Sequence, residues 1–114
     1  MEKKDKLYIL WANGDPVTSE LMVFMYARNS MINNWWSEVV LIIWGGSTKL
    51  VKNNIDMLNR LKELKSVGVN VMACRRCAEE LGMVEQLEQL NIKVEYLGTF
   101  LTELIKNGEH LITI

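Results

Sequence analysis

The chain contains one histidine, one proline and two cysteines in 114 residues, and neither sign of charge dominates, the formal net charge being −1. Each shortage excludes something. The single histidine, His110, cannot supply a set of imidazole ligands, and it stands where an apolar run to Ile114 begins, the mark of a strand start. Cys74 and Cys77 cannot form the multi-bridge framework of a small secreted domain, and as a lone CxxC they offer two thiolates where a closed zinc site needs a full tetrahedral set, so no metal or cofactor is expected. Pro16 precedes the CxxC by most of the chain and cannot be the cis-proline that faces a thioredoxin motif. Scattered basic residues near charge balance leave no footprint for nucleic acid or an anionic membrane. No stretch approaches the roughly 20 apolar residues of a membrane span. The run after the charged Met1 to Lys6 stops at Asn13-Gly14-Asp15-Pro16, too short and wrongly flanked for a signal peptide. The expected compartment is the cytoplasm, where free thiols stay reduced.

What remains is ordinary globular material, 49 % hydrophobic and 24 % charged, read as one domain over residues 1–114. Strand and helix signals alternate along it. Leu7 to Ala12, Glu38 to Trp44, Val69 to Ala73, Ile92 to Leu97 and His110 to Ile114 read as strands, apolar or β-branched and closed by turn residues. Between the first two, Thr18 or Ser19 is expected to cap a helix to about Asn33. Leu21, Phe24, Met25, Arg28, Met31 and Ile32 share one of its faces and Met22, Val23 and Tyr26 make the other apolar too, which predicts cover on two sides. Further helices are expected from Ser47, over Ile55 to Leu64 with a stop at Gly68, from Ala78 to Leu81, around Val84 to Leu90, and from Thr99 to Lys106. Such alternation implies βαβ units, hence an α/β fold: a three-layer α/β/α sandwich on a mostly parallel sheet of about five strands.

In a parallel sheet, ligands gather beyond the carboxyl ends of the strands. Three loops of chemical interest should share that rim: Asn13-Gly14-Asp15 after the first strand, Gly45-Gly46-Ser47-Thr48 after the second, and Cys74-Arg75-Arg76-Cys77 after the third. A thiol at a helix start meets unpaired N–H groups and the positive end of the helix dipole, which favour thiolate, and Arg75 and Arg76 should push the same way. The alternative is packing, because free cysteine is among the most buried residue types. Gly45, Gly46 and Ser47 could cradle an anion, although a tight turn capped by Ser47 explains them as well, and they match neither nucleotide-binding glycine pattern. Asn13 and Asp15 either turn the chain or help shape a pocket beside Cys74. Trp35 and Trp36, at the far end of the sheet, cannot easily both enter one small core, so one of them at an interface implies self-association, while both capping the lower edge of the core is the alternative.

The first strand ending in Asn13-Gly14, the second ending in Trp44-Gly45-Gly46, and Gly68-Val69-Asn70-Val71-Met72-Ala73-Cys74 after a long helix together resemble the DsrE/DsrF-like family, which includes the sulfur-relay TusBCD proteins and the YchN-like proteins. The resemblance covers nearly the whole chain and implies the same sandwich, assembly into homo- or hetero-oligomers, often trimers or hexamers, and sulfur carried as a persulfide on a cysteine after the third strand. Cys74 matches that cysteine. Cys77 departs from the one-thiol pattern of relay members. The expected function is therefore a persulfide carrier or transferase using Cys74, with sulfur donor and acceptor proteins as partners. A Cys74/Cys77 thiol–disulfide switch and an oligomeric binding module without chemistry stand as alternatives.

Overall fold

The computed structural model describes residues 5–114, so most of the charged opening segment read against a signal peptide lies outside the described residues. Five strands form one sheet: β1 (Lys6–Trp11), β2 (Glu38–Ile43), β3 (Asn70–Cys74), β4 (Lys93–Glu95) and β5 (His110–Thr113), in spatial order β4-β3-β2-β1-β5. Every pairing is parallel, so the sheet expected to be mostly parallel is wholly so. After β1 a continuous helical segment runs through α1 (Pro16–Thr18), a π-helical stretch (Ser19–Phe24) and α2 (Met25–Ile32). Then α3 (Gly46–Val51) and α4 (Ile55–Ser66) lead to β3, α5 (Arg75–Leu81) and α6 (Val84–Gln89) to β4, and α7 (Gly98–Lys106) to β5.

The side-chain period of two sorts these strands onto unequal faces. Leu7, Ile9 and Trp11 of β1, Val39, Leu41 and Ile43 of β2, Val71 and Ala73 of β3 and Val94 of β4 join one cluster with Val23, Phe24, Leu61, Leu64, Ala78 and Leu87 from the helices. The alternate residues Tyr8, Val40, Ile42 and Cys74 join a smaller cluster with Leu97 and Leu104, built around α7. The three layers are thus unequal, with the π-helical stretch and α2 to α6 contributing to the first core and α7 to the second.

The first helix departs from the expected pattern at both its start and its face. Asp15, not Thr18 or Ser19, is the cap: its carboxylate accepts the Thr18 N–H at 2.8 Å, and Pro16 sits in the first turn, where a missing N–H costs nothing. Ser19 is instead buried, accepting the indole N–H of Trp11 at 2.9 Å, and Phe24 meets the same indole edge-on with centroids 4.9 Å apart. Because the π-helical turn widens the spacing there, the buried face is Ser19, Val23, Phe24, Ala27 and Ser30. Leu21 and Met25, on the first of the two faces expected to be covered, are 61 % and 48 % exposed, and Met22 on the second is 41 % exposed, since no layer covers them. The two tryptophans divide. Trp36 packs against the first core and donates its indole N–H to the Tyr26 hydroxyl at 3.1 Å, while Trp35 is exposed.

At the carboxyl ends of β1 and β2 the chain closes on itself. The Ser47 hydroxyl donates to the Trp11 carbonyl at 2.5 Å and accepts the Trp44 N–H at 3.0 Å, tying the two strand ends together. It does not cap α3, whose cap position is Gly45, at φ 62° and ψ −120°, a conformation that excludes a side chain without strain. Gly46 has a different reason to be glycine: a Cβ there would stand 2.8 Å from the Ala12 carbonyl oxygen and 3.2 Å from the Gly14 nitrogen, both backbone atoms. Gly46→Ala should therefore lower stability by about 1–3 kcal/mol, the range for overpacking a close contact. Urea unfolding would show it as a lower midpoint with an unchanged slope. An unchanged midpoint would mean that the loops do not depend on this approach.

Candidate functional site

Cys74 is the last residue of β3, paired in register with Glu95 at the end of β4. The chain leaving β3 enters α5, whose Ala78 belongs to the first core, whereas the chain leaving β4 enters α7 on the second. Neighbouring strands whose connections depart to opposite faces open a crevice at their carboxyl ends, and Cys74 lies at that divergence. It is 4 % exposed, within the cluster that holds Ile42 and Leu97. Cys77, one turn into α5, packs at the border of the same cluster and is partly exposed. Its Sγ accepts the Gly45 N–H at 3.3 Å, which joins the loop after β2 to the helix after β3. Both thiols are free.

The charge state of Cys74 differs from the expected one. Burial, the largest influence, pushes its thiol up, the backbone N–H groups of Cys77 and Arg76 pull it down, and the neighbouring Cys77 side chain raises it again; the net direction is upward. Desolvation therefore outweighs the helix start that was expected to favour thiolate. The arginines do not intervene. Arg75 pairs with Glu79 at 3.4 Å and reaches the Val94 carbonyl, and Arg76 pairs with Glu80 at 3.0 Å, each four residues along its own helix.

The other residues expected on the rim separate into two groups. Gly14 and Gly46 meet through their backbones, and the adjacent Gly45 reaches Cys77, so the three loops do converge. Asn13 and Asp15 are spent on the turn: Asn13 accepts the Asp15 N–H at 2.6 Å, and the bonds from Thr18 hold the Asp15 carboxyl below its usual range. Ser47 is buried under the loop as a strand tie. Sequence reasoning missed Trp44 and Leu97, which share the Cys74 cluster. Strand parity already put Trp44 on the side of Ile42, but only the adjacency of β3 and β4 brings Leu97 near. Among the described residues no group of three or more His, Cys, Asp or Glu side chains converges as metal ligands, and no helix is long and apolar enough to cross a membrane.

Comparison with known proteins agrees with this fold. A solved structure of a conserved protein of unknown function from Bacteroides thetaiotaomicron is similar at a TM-score of 0.94 and 39 % identity, over 96 % of this chain and 95 % of that one. No curated protein matches. The model of the DsrE/DsrF-like family matches residues 6–114, nearly the whole chain. With its five-stranded parallel sheet and a cysteine closing the third strand, the chain belongs to the DsrE/DsrF-like family.

Proposed function

We propose that this protein carries sulfur as a persulfide on Cys74, taking a sulfane sulfur from a donor protein and passing it to an acceptor's thiolate. One observation supports this most: a free cysteine ends the strand at the point where the chain connections diverge, sheltered from solvent, with the backbone N–H groups of Arg76 and Cys77 favouring its anion. Thiolate is the reactive form, so a thiol held protonated by burial resists stray oxidants between transfers. A persulfide is a stronger acid than its parent thiol, and loading therefore produces the anion that those N–H groups favour. The reducing cytoplasm would keep both thiols available.

A second reading is favoured by the nearness of Cys77, which could attack the inner sulfur of the persulfide, releasing sulfide and leaving a disulfide. A binding module has less support. Two surface grooves, one lined by Leu21, Met25, Arg28 and Glu63 and another by Tyr8, Val40, Met72 and Phe100, have neither cysteine in their lining. We also infer a homo-oligomer, a trimer or hexamer as the family resemblance implies, from the exposed apolar strip of Val17, Leu21, Met22 and Met25.

Treatment with glutathione persulfide followed by removal of small molecules should leave a gain of one sulfur on the Cys74 peptide by mass spectrometry, and Cys74→Ser should retain little. A loss of two hydrogens in the wild type would favour the switch, and no change would reject carriage. In the unloaded protein, alkylation of Cys74 should be slow near pH 6 and still be climbing above pH 9, because its thiol is pushed up from that ordinary value. Fast labelling at pH 6 would contradict the burial argument. Sedimentation should show a multiple of the 13.2 kDa chain mass at micromolar concentration, and a lone monomer would contradict self-association.

A further inference from the structure

The two thiols of the rim have opposite access. Cys74 is 4 % exposed within an apolar cluster, whereas Cys77 is partly exposed at the border of that cluster and its Sγ receives the Gly45 N–H at 3.3 Å. A persulfide at the tip of a donor has to present its outer sulfur in line with the attacking thiolate, which an enclosed sulfur hinders and a peripheral one permits. The Gly45 N–H also fixes where the Cys77 sulfur sits, holding it at the meeting of the loop after β2 and the helix after β3. The two arginines expected to serve Cys74 do not compete for this role, because Arg75 and Arg76 are paired with Glu79 and Glu80.

We propose that Cys77 is the thiol that meets the donor, and that it hands the sulfur inward to Cys74; this rests on the reading of Cys74 as the persulfide holder. In the first step the Cys77 thiolate attacks the outer sulfur of a donor persulfide R–S–SH. The Cys77–sulfur bond forms, the donor's S–S bond breaks, and R–S⁻ departs and takes up the proton that Cys77 had lost. In the second step Cys74 attacks the outer sulfur of Cys77–S–SH, so that a Cys74–sulfur bond replaces the Cys77–sulfur bond and the proton of the Cys74 thiol returns to Cys77. Each step exchanges one S–S bond for another. Nothing is oxidised or reduced overall, and no co-reactant is needed beyond a donor persulfide. The same two steps in reverse bring the sulfur back to Cys77 for an acceptor thiolate.

Trypsin cuts after Arg75 and Arg76, so the two cysteines fall on separate peptides and each can be followed by itself. Wild-type protein mixed with glutathione persulfide, trapped with iodoacetamide at successive times and digested should show the added sulfur on the Cys77 peptide first and on the Cys74 peptide later. Cys77→Ser should load Cys74 about tenfold more slowly or worse, the loss expected when attack falls to a poorly accessible thiol. Cys74→Ser should load Cys77 at the wild-type rate and fail to retain the sulfur. The time course in the wild type needs no substitution and stands whether or not a variant folds. Sulfur arriving first on Cys74, or Cys77→Ser loading at the wild-type rate, would overturn entry through Cys77 while leaving carriage on Cys74 intact. Sulfur that reaches Cys77 and never Cys74 would overturn the inward transfer and the carrier reading together. Conversion to a disulfide would overturn the transfer in favour of the switch.

Discussion

The rim is organised by one close approach, in which the loop after β2 lies so near the loop after β1 that Gly46 has no room for a Cβ against the Ala12 carbonyl oxygen. The contact is backbone against backbone, and no rotamer change can relieve it. Ser47 fixes the same two strand ends from below by bonding to both Trp11 and Trp44. With these ends tied, Gly45 adopts a conformation that suits glycine, and its N–H faces the Cys77 sulfur. The position of the outer thiol thus depends on packing two strands away.

The unequal layers set the character of the inner thiol. The residues of the π-helical stretch and α2 through α6 supply the larger core, while the second face has α7 and the cluster that contains Cys74 and Leu97. A cysteine in that position is shielded from water, and desolvation raises its pKa against the pull of nearby N–H groups. Its neighbour Cys77 sits at the border of the same cluster and is partly exposed. Two sulfurs three residues apart therefore occupy different environments, which is what a directional transfer of sulfur would exploit.

Much of the fold was legible because strands buried on both faces leave long apolar runs, and β2 with its Val39 to Ile43 is the plainest case. The rim followed from the alternation of strand and helix alone, and the meeting of Gly14, Gly46, Gly45 and Cys77 agrees with it. The face of the first helix was not legible. A π-helical turn from Ser19 to Phe24 alters the spacing that a regular period assumes, and Trp11 draws the small polar Ser19 inward where Leu21 was expected. The arginines misled for a related reason. Sequence proximity put Arg75 and Arg76 beside the thiols, yet Glu79 and Glu80 lie one helical turn further on and take both guanidinium groups. Nor could sequence show that burial of Cys74 would outweigh its helix-start position, since the cluster that buries it includes Leu97, which follows the strand paired with β3.

The central claim is that Cys74 is the place where sulfur resides, and an anomalous-scattering map addresses it most directly. Crystals of protein loaded with glutathione persulfide, measured at a wavelength where sulfur scatters anomalously, should show one additional sulfur bonded to the Cys74 Sγ at the carboxyl end of β3. Additional sulfur found only on Cys77, or a Cys74–Cys77 disulfide with no added sulfur, would contradict the account.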